Sequence, residues 1–253
     1  MSQQKDGTGR ADYGLDAPGV LRALAILGVA GILLGAASYL ALRRALPQLA
    51  TVLLNLGTWG GLGSLAAAGT MLWSSKVGKL RERDRLVEAI PWQGDEEVLD
   101  VGCGRGLLLI AVAKHLTTGK AVGVDIWQSV DQSGNRPEAT LENAKIEGVS
   151  DHVEVHDGDA RRLPFEERVF EVVVSSLALH NIPGSAGREQ AIREIVRVLK
   201  PGGLVFILDI ARTGEYARVL SESGMIDIRR SRARFLFSPL ARMVTGKKPP
   251  SLD

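Results

Sequence analysis

Two stretches without a charged side chain, residues 23–42 and 45–73, stand near the front of this 253-residue chain, and nothing else constrains its folding as tightly. A helix rises about 1.5 Å per residue, so roughly 20 apolar residues cross the ~30 Å hydrocarbon layer of a bilayer. Both stretches are long enough. The first, "ALAILGVAGILLGAASYLAL", is the cleaner; the second carries many glycines and Asn55, which membrane helices accept more readily than soluble ones. The alternative is a buried helical hairpin of a soluble protein. A cleaved signal peptide fits less well, because "MSQQKDGTGRADYGLDAPG" lacks a basic lead and a second span follows.

The link "RRALPQ" is short enough to force an antiparallel hairpin. Gly31 with Gly35, and Gly57 with Gly61, have the four-residue spacing that lets helices approach closely in lipid. The partner of each face is the other span or a second copy of the chain, so a homo-oligomer through these motifs is one expectation. Lys76, Lys79, Arg81, Arg83 and Arg85 follow the second span, against Arg43 and Arg44 in the link. That asymmetry predicts a two-span membrane protein with its soluble domain on the cytoplasmic side. The expected division is a disordered polar tail over 1–19, a hairpin over 20–75 (spans about 20–42 and 49–73) and a soluble domain over 76–253.

Charge is mixed beyond residue 76. The whole chain carries 31 basic and 29 acidic residues, a net charge of +2, which is no global nucleic-acid signature, and no nucleic-acid partner is expected. Cys103 is the single cysteine, which excludes an internal disulfide and a cysteine-rich metal site and suits a reducing compartment. His115, His152 and His156 have no metal-ligand spacing, so no metal is expected.

In the soluble part, short β-branched runs alternate with helix-period stretches. Strands are expected at 97–102, 121–127, 153–159, 170–179 and 204–210, with two more near 227–237 and 241–247; helices are expected at 80–90, 106–116, 137–148, 187–200 and 214–224. Near-continuous apolar strands between helices predict an α/β fold: a Rossmann-like, doubly wound, mostly parallel seven-stranded sheet behind the transmembrane hairpin. A ligand would sit at the carboxyl ends of the strands, where strand order reverses.

The stretch "VLDVGCGRG", residues 98–106, ends such a strand. Its glycines, Gly102, Gly104 and Gly106, miss the dinucleotide pattern because the third comes one position early, and no phosphate-loop pattern is present. A tight turn preceded by Asp100 suits a ligand with an ammonium group better than one with a pyrophosphate. S-adenosylmethionine is such a ligand. "VLDVGCGRG", "GVDIW", "HDGDARRLPF", "FEVVVSSLALHNI" and "VLKPGGLVFILDI" follow in an order and spacing that resemble the class I S-adenosylmethionine-dependent methyltransferases of the ubiquinone/menaquinone-biosynthesis type, over about residues 80–250. The hairpin is not part of that family's usual pattern.

The resemblance implies a cofactor site. Gly102, Gly104 and Gly106, with Cys103, would lie against the methionine part, and Asp100 would anchor its ammonium directly or through water. Asp125 would accept from the ribose hydroxyls, Ile126 and Trp127 would lie on the adenine, and Asp159 and Ala160 would meet the adenine amino group, with Ser175 nearby. For the acidic positions the alternative is turn or helix capping. His180 after the fourth strand is a candidate general base, an acceptor-positioning donor or a plain loop residue, with Asn181 beside it. In the insertion "WQSVDQSGN", Gln128, Asp131 and Gln132 are candidates for a polar lid touching the acceptor, while Asn135, Pro137 and Glu138 read as a helix start.

Methyl transfer from a sulfonium is an in-line displacement, in which positioning alone can supply about 7–11 kcal/mol. The leading expectation is therefore a membrane-anchored methyltransferase that converts S-adenosylmethionine to S-adenosylhomocysteine while methylating a lipophilic quinone, phospholipid, fatty acyl or isoprenoid compound. A tethered enzyme for a small soluble acceptor, thiols included, and a non-catalytic cofactor-binding module are the alternatives. Near the end, strand alternation puts Arg230, Arg232 and Arg234 on one face and Ala233, Phe235 and Phe237 on the other. The arginines would meet anionic headgroups or form a solvated outer face.

Overall fold

The structure is a computed structural model that describes residues 9–128, 132–233 and 240–251. The two apolar stretches form helices α1 (Pro18–Leu42) and α2 (Pro47–Trp73), both long and apolar enough to cross a membrane. A helix of a soluble core would be mostly buried. Here 11% of each helix's most apolar window is buried, and Ile26, Leu34, Leu56 and Trp59 point outward. The glycine faces pack against each other within the chain: a methyl group added at Gly61 would lie 2.6 Å from the Gly28 carbonyl oxygen, and one at Gly57 would strike Gly31. The small-residue motifs are thus spent on the hairpin itself, and a second copy could use them only by opening it.

α2 continues through a π-helical turn, Ser74–Gly78, into α3 (Lys79–Glu88). Arg81 sits 5.9 Å over the Trp73 ring at this junction. Leu86 and Val87 of α3, with Ile90, face the core, and the chain then enters the sheet at β1 (Glu97–Val101). The remaining elements are α4 (Leu107–Ala113), β2 (Lys120–Asp125), α5 (Pro137–Ile146), β3 (Val153–Asp157), β4 (Phe170–Ser176), α6 (Ser185–Val198), β5 (Leu199–Asp209), α7 (Thr213–Glu222), β6 (Ile226–Arg230) and β7 (Arg242–Lys247). The seven strands lie in the order β3-β2-β1-β4-β5-β7-β6, parallel except that β7 opposes both its neighbours.

Alternation along the strands explains the layering. Val98, Val172, Val174, Phe206 and Leu208 pack under α3, α4 and α5, while Leu99, Val173, Val205 and Ile207 pack under α6 and α7. Asp100 shares the Val98 face and points toward α4. β1 pairs with β2 on one side and β4 on the other, so strand order reverses there and opens a crevice at their carboxyl ends.

Two expectations change at the chain's edges. Residues 9–17 of the supposed disordered tail are bound to the domain: Asp12 N–H donates to Asn143 Oδ1 at 3.0 Å, and Leu15 and Ser133 exchange hydrogen bonds at 3.0 and 3.2 Å. Their polar side chains and backbone find partners that no local pattern announces. The sixth strand ends at Arg230, whose Nε donates to Thr213 Oγ1 at 2.9 Å, so this arginine is tied to α7 rather than aligned on a face with Arg232. Arg234, Phe235 and Phe237 lie outside the described residues.

Candidate active site

The glycine turn after β1 and the turn after β4 meet in the crevice. Gly102 has φ +78°, and a side chain there would collide with Ala178, two residues before His180. Gly104 has φ +51°, and an added Cβ would sit 2.6 Å from Gln132 Oε1. Gly102 therefore requires glycine for conformation and for space, and Gly104 for conformation. The loop is held from outside by Thr140, which donates to the Gly104 carbonyl at 2.6 Å, and by Asn143 Nδ2, which donates to the Arg105 carbonyl at 2.9 Å. Thr140→Ala would leave the part-buried Gly104 carbonyl only the long 4.0 Å contact from the Cys103 thiol. It should lower stability by about 0.5–1.5 kcal/mol, read by denaturant unfolding, and loosen S-adenosylhomocysteine binding in calorimetry.

Asp100 is 1% exposed, and neither carboxylate oxygen meets a hydrogen-bond partner among the described residues. Burial pushes its pKa up to about 8; the Leu109 N–H in the first turn of α4, near but outside hydrogen-bond geometry, opposes this, and the Asp125 charge adds to it. A buried carboxyl without a partner beside a glycine cradle fits the ammonium end of S-adenosylmethionine, because a cation there supplies what the protein leaves out. Cys103 is buried in the same turn, and its thiol is also pushed up by burial.

Asp125 ends β2 but is already engaged. Its Oδ2 accepts from Gly104 N–H at 2.9 Å, and its Oδ1 accepts from Trp127 N–H at 2.7 Å and Asn135 Nδ2 at 3.2 Å. Three of about four acceptor sites are filled, so a ribose would find one free or displace a donor. Ile126 is 54% exposed beside it. Trp127, at φ +56°, packs against the core and donates from its indole to Asp157.

Several other candidate residues have partners within the chain. Asp159 is gripped by Arg161, whose backbone N–H, Nε and Nη2 all donate to it, at 2.9, 2.9 and 2.5 Å in the shortest pairings, to Oδ1, Oδ2 and Oδ2. That arrangement holds its carboxyl below the usual range and matches the turn-capping alternative; Ala160 follows it, half-buried. Ser175 is buried, and its hydroxyl donates to the Val101 carbonyl at 2.8 Å, joining two strands. Gln132 turns inward: Oε1 accepts from Arg105 N–H at 2.9 Å and Nε2 donates to the Tyr13 carbonyl at 3.1 Å, so it ties the glycine turn to the leader. Gln128 and Asn181 are exposed, and Asp131 lies outside the described residues.

Asn135 is not the helix cap. α5 begins at Pro137 with extended Arg136 in the cap position, which frees Asn135 to reach Asp125 and the Gln128 carbonyl. His180 stands in a short 3₁₀ turn, Leu179–Asn181, against Asp209 at the end of β5. Asp209, Tyr216, Arg105 and Lys79 border the candidate site without having been singled out for it in the sequence, and Asn135 was read there only as a helix start. Asp209 had a signal, an acidic residue at a strand's carboxyl end; the others had none.

Residues 99–207 match the family described as "Methyltransferase domain". With the sheet order and the glycine turn, that match makes this part of the chain similar to the S-adenosylmethionine-dependent methyltransferase domains. The chain is 34% identical over 131 residues to the demethylmenaquinone methyltransferase of Staphylococcus aureus strain MRSA252, covering 51% of this chain and 49% of that protein. It therefore spans about half the length of the curated relatives it matches. Among solved structures, the 4+2 cyclase SpnF superposes with a TM-score of 0.58 at 20% identity, covering 70% of this chain and 84% of that one. A SAM-dependent methyltransferase from Methanosarcina mazei gives 0.51 at 18%, covering 63% and 95%. At these identities the structural neighbours establish the fold alone.

Proposed function

We propose that the chain is a membrane-anchored enzyme that moves a methyl group from S-adenosylmethionine to a lipophilic small molecule by in-line displacement, its domain lying on the cytoplasmic face. Asp100 holds the cofactor's ammonium, the glycine turn takes its methionine part, and Asp125 and Ile126 meet ribose and adenine. The observation that carries the reading is the direction of α3. Its first turn, at Lys79, touches the leader beside the glycine turn, and its far end leads into the start of β1, where Trp92 Nε1 donates to the Val87 carbonyl. α3 is continuous with α2, so the apolar helix enters the domain at the end of the sheet that carries the site. From Trp73 to Lys79 is roughly 9 Å at the helical rise, which brings the crevice close to any bilayer that α2 crosses. The leader on the domain and the exit of α2 also keep both ends of the hairpin on one side.

A quinone-type acceptor agrees with the demethylmenaquinone methyltransferase likeness; other bilayer-resident acceptors share the same chemistry. The test uses the full chain in vesicles containing a total membrane lipid extract, with methyl-labelled cofactor. Label should enter the organic phase at a rate set by the acceptor's mole fraction in the bilayer. Label confined to water-soluble products would defeat the reading.

A further inference from the structure

His180 Nδ1 lies 2.6 Å from Asp209 Oδ1, an ion-pair distance without full hydrogen-bond alignment. Asp209 is 1% exposed, and no other residue's side chain in the described structure makes an ion pair with it. It is fixed by three donors: Ile210 N–H to Oδ1 at 2.7 Å, and His180 N–H and the Tyr216 hydroxyl to Oδ2, each at 3.1 Å. Burial and the Asp209 charge push the Tyr216 hydroxyl's pKa up, so it stays a donor. The nearby Arg188 is engaged elsewhere, paired with Glu215 at 3.0 Å and donating to the Ile182 carbonyl. The His180 side chain is 21% exposed although its Nδ1 is buried, so the opposite edge of the ring carries the exposure. That edge belongs to the turn that Ala178 presses against Gly102.

We propose that Asp209, fixed by Tyr216, positions His180 to take a proton from the acceptor, so that the acceptor is a lipophilic molecule methylated at a hydroxyl. The inference rests on the methyltransferase reading above. A carboxylate on Nδ1 keeps the proton there and leaves Nε2 as the acceptor. A lone pair of the substrate oxygen bonds to the methyl carbon as the carbon–sulphur bond breaks, and that bonding pair stays on sulphur. The O–H proton passes to His180 Nε2. Positive charge moves from sulfonium to imidazolium, and the thioether product leaves neutral. Asp209 touches neither substrate nor cofactor in this scheme; it is a positioning residue.

The experiment uses the ¹⁵N-labelled full chain in lipid nanodiscs, with the His180 ring signals assigned through His180→Gln. The wild type should show Nδ1 protonated and Nε2 bare, and Asp209→Asn should mix the tautomers. In the labelled-cofactor assay with the membrane lipid extract, both variants should lose roughly 100-fold or more in kcat, the scale of a general base. Their affinity for S-adenosylhomocysteine should stay at the wild-type value, which distinguishes lost chemistry from lost folding. Tyr216→Phe, which leaves Asp209 two backbone donors, should lose only severalfold. A proton found on Nε2 in the wild type, or Asp209→Asn turning over at the wild-type rate, overturns the pair. Label appearing on carbon rather than on oxygen overturns the hydroxyl assignment. If no lipid is labelled by the wild type, the lipophilic reading fails, while the tautomer still decides the pair.

Discussion

Asp100→Asn is expected to weaken S-adenosylmethionine binding about 10- to 100-fold, the worth of a hydrogen bond to a charged group at roughly 1.5–3 kcal/mol, and to stabilise the unliganded protein at pH 8. Asparagine keeps the shape but cannot ionise. In the folded chain Asp100 titrates at about 8, against an ordinary value of 3.8. Between about pH 4 and pH 8 the folded state holds a proton that the unfolded chain has released, so unliganded stability falls as pH rises across that window. Below it both states are protonated, and above it the cost of the buried charge is fully present. The asparagine variant should lack this slope. The cofactor's ammonium pairs with the ionised form, so binding near pH 7 should release a proton from the wild type and none from the variant. Calorimetry in two buffers of different ionisation heat reads that proton. Equal affinity of the two proteins with no proton release would remove Asp100 from the site.

The sheet and its glycine turn were legible because their signals are local. Val98 and Leu99 alternate between two cores within one pentapeptide, and Gly102 and Gly104 declare positive φ by their identity. The hairpin was legible in the same way, from runs without charge. Contacts that join distant parts of the chain were not. Asn135 stands near where a helix cap belongs, two residues before a proline, yet its amide goes to Asp125 instead of the helix. Ser175 and Gln132 have the right residue types at strand and loop positions, but β1 and the leader claim their polar groups. The leader itself has no periodicity and few apolar side chains, the usual marks of a disordered tail. Its order comes from partners far off in sequence: Ser75 for Asp16, Arg105 for Asp12 and Glu147 for Tyr13.

Lys79→Met is expected to detach that leader and, through it, to weaken cofactor binding. Lys79 is 4% exposed, and its ammonium donates to the Tyr13 and Gly14 carbonyls at 2.9 and 3.0 Å and to Asp16 Oδ1 at 3.2 Å. Methionine fills the same space but strands the Gly14 carbonyl and removes the positive partner of Asp16, which is one-third exposed and keeps its Ser75 donor, a loss of about 1–3 kcal/mol. The cost falls on opening the leader, because α3 still packs through Leu86 and Val87 on the core. Hydrogen exchange should therefore speed up at Leu15 and Ser133, whose amides pair across the leader, and stay slow in β1 and β4. Gln132 holds the Tyr13 carbonyl with one end and the Arg105 amide with the other, its Oε1 lying where a Gly104 side chain would be. With the leader gone this brace is free to swing, and affinity for S-adenosylhomocysteine should drop about tenfold, one hydrogen bond's worth. The same leader runs straight into α1 at Pro18, so the hairpin grips the glycine turn from both of its ends, through residues 12–16 and through α3. Unchanged exchange at Leu15 together with unchanged affinity would mean that the leader is a passive tether and that the hairpin has no hold on the cofactor site.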